Sequence, residues 1–211
     1  MMTESLNIAI LIFDGAEELD FQGPWEVLTM VNTVRAFKKT EGHDKVYLVS
    51  ETGAKVTCAK GMRVEADFSY ATAPQADVIL VPGGQGTRRE VTNSATLKWI
   101  ADQAAHCTWV TSVCTGSMVL AAAGPARGKR ITTHWATIGE VRNRGDAGEV
   151  VSGQRWVVDG NVVTSAGVSA GIDMAIWLVA QLHDDDMAKT VVRMMEYDPA
   201  PPFAFAKPDR T

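Results

Sequence analysis

Short apolar runs alternate along the chain with stretches whose apolar residues recur at helical spacing. The runs at 6–13, 45–50, 77–81 and 108–113 are nearly continuous and rich in β-branched side chains. Continuous apolar runs of this length are typical of strands buried on both faces of a parallel sheet. Because helical segments follow most of them, the pattern predicts a doubly wound, mostly parallel α/β sheet with helices on both faces, a flavodoxin-like arrangement.

The helical segments have recognisable ends. Pro24 suits the first turn of a helix that carries Trp25 and Val34, and Asn93 or Ser94 can cap the next helix. The acids at 184–186 suit the start of a last helix that reaches about Met195. Three more helices are predicted: one directly after Cys114, one over about 136–144 and one over 170–182.

Two hairpins and a tail complete the pattern. Residues 56–64 predict a small hairpin around Lys60-Gly61, and residues 155–165 predict another with its turn at Asp159-Gly160-Asn161. A short strand is expected at 131–133. The tail 199–211 is rich in proline and is expected to be extended. We expect residues 1–211 to form a single domain.

Composition narrows the class of protein. The 211 residues carry a net charge of -5 and form no basic stripe, which argues against nucleic-acid binding. No apolar run has membrane-spanning length, and the start lacks the basic region of a signal peptide. The three cysteines, an odd and sparse count, predict no disulfide framework and favour a reducing compartment. We therefore expect a cytoplasmic protein.

Cys114 lies where a predicted strand turns into a predicted helix. This is the arrangement of a nucleophile elbow, in which the amides and dipole of the next helix favour a thiolate. Lowering a thiol pKa from about 8.5 by about 3 units raises the thiolate fraction roughly 30-fold, while intrinsic nucleophilicity falls roughly 20-fold. Because the two effects nearly cancel, positioning and a proton donor must supply most of the catalysis.

Other candidate sites have simpler explanations. The Gly-rich segment 83–86 lacks the lysine of a phosphate loop, so a sharp turn explains it better than a nucleotide site. His183 beside the acids at 184–186 could bind a metal, but a helix start explains those acids, and no cysteine or histidine spacing suits zinc. Cys58 and Cys107 are expected to be small core or surface residues. We therefore predict no cofactor and no metal.

Several motifs occur in the order of a known family. They are Asp-Gly-Ala-Glu-Glu-Leu-Asp at 14–20, Val-Pro-Gly-Gly at 81–84, Val-Cys-Thr-Gly at 113–116, Thr-His-Trp at 133–135 and Ser-Ala-Gly at 165–167. With them the chain resembles the ThiJ/PfpI superfamily, which has the class I glutamine amidotransferase-like fold. Leu-Asp-Phe-Gln-Gly-Pro at 19–24 and Glu-Tyr-Asp-Pro-Ala-Pro-Pro-Phe at 196–203 are similar to the isonitrile hydratase group within it.

The resemblance implies roles for individual residues. Cys114 would be the nucleophile and Asp20 the proton donor, with Glu17 and Glu18 as rival donors. Spacing alone fits Asp20 equally well as a helix N-cap before Gly23-Pro24. The amides of Gly83 and Gly84, together with that of Thr115, would stabilise developing negative charge.

Three further side chains complete the candidate set. Thr115 stands where peptidase-like members carry histidine, and its hydroxyl could orient a water or the substrate. His134 could approach the site, although a structural histidine beside Trp135 is the simpler interpretation. Trp25, Trp135 and Trp156 are expected in the core, and the first two could wall an apolar pocket.

The resemblance implies hydration of an isonitrile to an N-substituted formamide, through a thioimidate on Cys114 with Asp20 as acid and base. The alternatives are a glyoxalase-type or amide-hydrolysing enzyme on the same cysteine, or a non-enzymatic ligand or redox sensor. The only expected partners are a small-molecule substrate and a second copy in a homodimer, with neither nucleic acid nor membrane.

Overall fold

A computed structural model of the protein describes residues 5–201. The strands are β1 (Asn7–Leu11), β2 (Lys45–Ser50), β3 (Val56–Thr57), β4 (Arg63–Val64), β5 (Phe68–Ser69), β6 (Val78–Val81), β7 (Trp109–Val113), β8 (Arg130–Ile131), β9 (Glu149–Val150), β10 (Trp156–Asp159) and β11 (Val162–Ser165). The helices are α1 (Glu18–Lys38), α2 (Thr87–Glu90), α3 (Ser94–Ala104), α4 (Gly116–Ala123), α5 (Ile138–Arg144), α6 (Ala170–Leu182) and α7 (Asp185–Met194), with a 3₁₀ turn at Trp135–Thr137.

The main sheet has seven strands in the order β10-β11-β7-β6-β1-β2-β5. All neighbouring pairs are parallel except β10 and β11. The chain passes from β1 to β2 on one side and returns to β6 on the other, so the connections reverse direction at β1. In open α/β sheets, ligands bind outside the carboxyl ends of the strands at such a reversal. The predicted doubly wound fold is confirmed.

Burial explains why the apolar runs form the central strands. Every residue of β6 is buried, as are Ile8–Leu11 of β1, because helices cover both faces of the sheet. The two predicted hairpins are confirmed: β3 pairs with β4, and β10 pairs with β11 across a turn in which Gly160 has φ 63°. The strand expected at 131–133 is shorter and pairs with β9.

Helix α1 begins earlier than predicted, at Glu18. Pro24 lies inside the helix and not in its first turn. Glu18 and Asp20 occupy the first turn, where carboxylates favour a helix start. Gly23 allows α1 to approach α6 closely, since a Cβ on Gly23 would lie 2.7 Å from Cγ1 of Ile172. That packing keeps the segment helical despite the hydrogen bond that Pro24 cannot donate.

The tryptophans are less buried than predicted. Trp135 is 61% exposed, so the expectation that it belongs to the core is wrong. Trp25 and Trp156 are half-buried and pack against the core. Cys58 and Cys107 are buried free thiols, as expected for small core residues.

Some predictions fall at the end of the chain. The Pro-rich tail 199–211 and the motif at 196–203 lie partly outside the described residues. No helix within residues 5–201 is long and apolar enough to cross a membrane.

A buried charged cluster joins α1 to the far end of α6. Arg35 Nη1 lies 2.9 Å from Asp44 Oδ1, and His183 Nε2 lies 2.9 Å from Asp44 Oδ2. Arg35 and Asp44 are 3% and 1% exposed, so this network is shielded from water. It fixes the amino end of β2 against both helices.

Candidate active site

Cys114 occupies a sharp turn between β7 and α4. Its φ of 56° lies in the left-handed region that is strained for a residue other than glycine. Its amide donates to the carbonyl oxygens of Ser165 and Ala166, at 3.1 and 3.3 Å. Its own carbonyl accepts from the Thr133 and Ser117 hydroxyls, at 3.0 and 3.1 Å. These bonds hold the strained backbone in place, as the predicted nucleophile elbow requires.

Asp20 lies inside α1 and is fully buried. The Gly83 amide donates to its Oδ2 at 2.9 Å, while Oδ1 has no hydrogen-bond partner within residues 5–201. The alternative of a helix N-cap is wrong, because Glu17 is the N-cap residue and its side chain makes no capping bond. The carboxyl of Asp20 therefore points at the loop after β6 and not at the amides of its own helix.

Gly83 allows the Cys114 thiol and the Asp20 carboxyl to approach each other. A Cβ on Gly83 would lie 2.6 Å from the Thr115 nitrogen, 2.7 Å from Cβ of Cys114 and 2.8 Å from Oδ2 of Asp20. The last two distances are sides of one triangle, so Cβ of Cys114 and Oδ2 of Asp20 are at most 5.5 Å apart. Only glycine leaves room for this approach. Thiol and carboxyl are neighbours, although no hydrogen bond joins them within residues 5–201.

Burial raises the pKa of Asp20 to about 7. The Gly83 amide opposes the rise, the negative charge of Glu17 adds to it, and the positive charge of Lys60 opposes it. Desolvation disfavours the charged form of a carboxyl, which is why it dominates here. At neutral pH, Asp20 can therefore both hold and release a proton, as a general acid and base must.

Burial also raises the pKa of Cys114, to about 12, and the neighbouring Asp20 charge adds to the rise. The backbone amide and the hydroxyl of Thr115 lower it. The expected stabilisation of a thiolate by the helix start thus has the right sign but is outweighed by desolvation, because the residue is only 7% exposed. The resting site holds a neutral thiol beside a carboxyl that can exchange a proton.

Thr115 joins the elbow to the loop that follows β6. Its hydroxyl accepts from the Gly84 amide at 3.0 Å and from the Thr87 hydroxyl at 3.1 Å, and lies 3.3 Å from the Gly84 carbonyl oxygen. The amides of Gly83 and Gly84 thus already donate to Asp20 and Thr115. Their role as oxyanion donors stays a prediction, as does that of the Thr115 hydroxyl.

The rival acids are held by the β3–β4 hairpin. Glu17 is paired with the Lys60 ammonium, and Oε1 of Glu18 accepts from the Lys60 amide at 2.7 Å. Burial raises the pKa of Glu18, but backbone amides outweigh it and leave the pKa below its ordinary value. Asp20 is therefore better suited than Glu18 to deliver a proton at neutral pH.

His134 caps the 3₁₀ turn that follows it, and its role in the site stays a prediction. Its Nδ1 accepts from the Ala136 amide at 3.2 Å, and its ring packs on Gly167, where a Cβ would collide with the ring carbon Cδ2. Burial lowers the pKa of His134, while the charge of Glu17 raises it. Trp135 stands beside it in solvent, and the suggestion that Trp25 and Trp135 wall an apolar pocket stays a prediction.

Two residues of the site were not predicted. Val168 has φ 53°, and its amide approaches the Asp20 carboxyl closely enough to lower the pKa of that carboxyl. No sequence signal marks a β-branched residue in this conformation, although the Ser-Ala-Gly motif immediately precedes it. Thr87, the first residue of the unpredicted helix α2, donates to Thr115.

Two further features lie outside this constellation. A hollow of about 450 Å³ lies at the carboxyl ends of β1 and β2, and its lining includes Asp14, Lys55 and Arg89 but not Cys114. Across residues 5–201, no group of three or more histidine, cysteine, aspartate or glutamate side chains is arranged to hold a metal ion.

Comparison with known proteins places this geometry in context. The model of the DJ-1/PfpI family matches residues 6–181. An isonitrile hydratase from Pseudomonas putida is 39% identical over 211 residues, which cover 97% of this chain and 84% of that protein. The transcriptional regulator CdhR of Pseudomonas aeruginosa is 31% identical over 187 residues; this match covers 89% of the chain but only 54% of the regulator.

A solved structure agrees with the sequence relatives. A ThiJ/PfpI family protein from Pseudomonas syringae superposes with a TM-score of 0.83 at 32% identity, and the match covers 96% of this chain and 79% of that one.

Proposed function

The chain belongs to the DJ-1/PfpI family, and we propose that within this family it hydrates isonitriles to N-substituted formamides. The observation that carries the proposal is the juxtaposition of the Cys114 thiol with a buried Asp20 carboxyl whose pKa is about 7. The similarity to an isonitrile hydratase over nearly the whole chain supports it.

The first step forms a carbon–sulfur bond. With a pKa of about 12, only ~10⁻⁵ of the Cys114 thiol is ionised at pH 7, so a free thiolate contributes little. Sulfur attack on the terminal isonitrile carbon is therefore coupled to proton transfer. Asp20 receives the thiol proton and delivers a proton to the carbon, which gives the thioimidate Cys114–S–CH=N–R. The Thr115 amide faces the sulfur and stabilises charge that develops there.

The second step consumes water. Ionised Asp20 accepts a proton from water as the oxygen attacks the thioimidate carbon, and then passes this proton to the imine nitrogen. Collapse of this tetrahedral adduct breaks the carbon–sulfur bond, releases R–NH–CHO and returns the proton to sulfur. The sum is one isonitrile plus one water to one formamide, without an external oxidant or reductant. Thr115 holds the elbow against Gly84 throughout.

Burial of the thiol weakens the support for a redox sensor. Ready oxidation needs an accessible cysteine with substantial thiolate character. Cys114 is 7% exposed and its pKa is raised, so neither condition is met in the resting site. An amide-hydrolysing function would need another proton relay where Thr115 stands. The homodimer and the cytoplasmic location stay predictions; the elution volume of the protein tests the first.

Turnover of a simple alkyl isonitrile tests the proposal. Purified protein is mixed with n-butyl isonitrile, and N-butylformamide is quantified by gas chromatography. We expect turnover by the wild type, none by Cys114→Ala, and a loss of at least about 100-fold for Asp20→Asn. Cys107→Ala, which removes a buried thiol that donates to the Ala76 carbonyl, is the matched control and should retain activity. Absence of formamide from the wild type, or full activity of Cys114→Ala, would refute the proposal.

A further inference from the structure

The loop between β11 and α6 contacts each part of the candidate site. The Ser165 and Ala166 carbonyls accept from the Cys114 amide, Gly167 lies under the His134 ring, and Val168 acts on Asp20 by lowering the pKa of its carboxyl. Val168 is β-branched and has φ 53°, a conformation that persists only where the surroundings enforce it. Something must therefore hold this loop in its strained shape.

Arg155 fixes both ends of the loop. Its carbonyl oxygen accepts from the Ala166 amide at 2.8 Å, before Val168. Its guanidinium pairs through Nε with Oδ2 of Asp173, in the first turn of α6 and after Val168. The two anchor points, Ala166 and Asp173, are seven residues apart, and Val168 lies between them. A shift of either anchor would therefore change the backbone at Val168.

Tyr197, near the end of the described residues, binds the same Asp173 carboxylate as Arg155. Its hydroxyl donates to Oδ1 of Asp173 at 2.7 Å, so the two oxygens of this carboxylate bind different partners. The Tyr197 amide donates to the Val192 carbonyl at 3.0 Å, which fixes the tyrosine to α7. Burial, with the Asp173 charge, raises the pKa of Tyr197 to about 12, so the hydroxyl keeps its proton at neutral pH.

We propose that Tyr197 and Asp173 are positioning residues of the active site, which act through Arg155 to hold the segment 165–168 against the Cys114 amide and beside Asp20. Neither residue touches the thiol or the carboxyl, so neither is catalytic. The proposal gives a purpose to the Glu-Tyr-Asp-Pro motif, which the chemistry at Cys114 and Asp20 leaves unexplained. It rests on the proposed function only in that hydration is one of its two assays.

Removing the tyrosine hydroxyl is the direct test. Tyr197→Phe keeps the ring and deletes the hydrogen bond to Asp173. Besides the Val168 amide, the groups that act on the Asp20 carboxyl are the Gly83 amide, Glu17 and Lys60, with the Cys114 thiol alongside. Because Val168 lowers the pKa of the carboxyl, its displacement should move the Asp20 titration upward.

Two assays report that shift. The pH dependence of kcat/KM for n-butyl isonitrile should move upward in Tyr197→Phe, with kcat reduced about fivefold and KM little changed. The rate at which iodoacetamide alkylates Cys114, followed by mass spectrometry between pH 5 and 9, should show the same displacement. The second assay needs no isonitrile turnover, so failure of the proposed function does not prevent the test.

Controls separate positioning from general stability. Tyr47→Phe removes another tyrosine hydroxyl, which donates to the Pro74 carbonyl at 3.1 Å far from this loop, and should leave both profiles unchanged. Asp173→Asn, which keeps an oxygen for Tyr197, should be milder than Asp173→Ala. The proposal is overturned if the pH profile of Tyr197→Phe does not move. It is also overturned if Tyr197→Phe loses activity only in proportion to a fall in melting temperature, by the same relation that Tyr47→Phe follows.

Discussion

Replacing Asp20 by asparagine should stabilise the protein, increasingly so as the pH rises. Asparagine is nearly isosteric with aspartate, and its side-chain oxygen can still accept from the Gly83 amide. Asparagine differs from aspartate in that its side chain does not ionise. The stability difference between variant and wild type therefore isolates the free energy of ionising a buried carboxyl.

The sign and size of the effect follow from the pKa of Asp20. Its folded-state pKa of about 7 lies above the ordinary 3.8, so the folded protein holds this proton more tightly than the unfolded chain. The stability that Asp20 contributes is thus fully present below pH 3.8 and is lost as the pH rises to about 7. Wild type should lose ~1.4 kcal/mol per pH unit relative to Asp20→Asn across this window, ~4 kcal/mol in total, and no more above it.

Urea unfolding at half-unit steps from pH 4.5 to 8.5 measures this difference. Asp102→Asn removes an exposed charge that pairs with Lys98 and controls for the change in net charge. We expect the stability advantage of Asp20→Asn to rise with pH and to level off near pH 7. A difference that stays constant over the whole range would show that Asp20 ionises normally, and the proton-transfer role argued for it would fail.

Two further substitutions test the contacts that hold the fold and the site. Thr115→Val removes the hydroxyl that joins the elbow to Gly84 and leaves buried polar groups unpaired, so unfolding in urea should show a loss of about 1–3 kcal/mol that Thr115→Ser largely restores; equal stability of the valine and serine variants would contradict this. Burial raises the pKa of Asp44, but hydrogen bonds, chiefly from His183 and also from Arg35, outweigh it and lower the pKa. Asp44→Asn should therefore cost about 3–5 kcal/mol at pH 7 by urea unfolding, and less only as the pH falls below 3.8, the ordinary pKa of aspartate, toward the lower folded-state pKa; a cost that stays the same below pH 3.8 would argue against an ionised Asp44.

Most of the fold was predictable because buried parallel strands have a strong sequence signature. The runs at 6–13 and 77–81 are nearly continuous in apolar residues, and both contain central strands. Helix α1 was placed wrongly because proline signals a helix start only statistically, whereas the packing of Gly23 against α6 determines this one. The two-residue strand β5 carries too little pattern to be seen in sequence alone.

The site was predictable in its members but not in its electrostatics. Family resemblance named Cys114 and Asp20, and the structure places them beside each other. The protonation state of the thiol could not be read from the sequence, because it depends on how much water reaches the sulfur and not on which residues follow it. The strain at Val168 was equally inaccessible, since it arises from contacts with residues far along the chain.

Because of the left-handed backbone at Cys114, selection for stability and selection for activity favour different residues at this position. A left-handed conformation costs a residue with a side chain about 1–2 kcal/mol, whereas glycine adopts it freely. A library selected only for resistance to heat should therefore drift toward glycine at position 114 and lose the thiol. Engineering a more stable variant requires that activity be selected in every round, because the site is among the first features that selection for stability alone would remove.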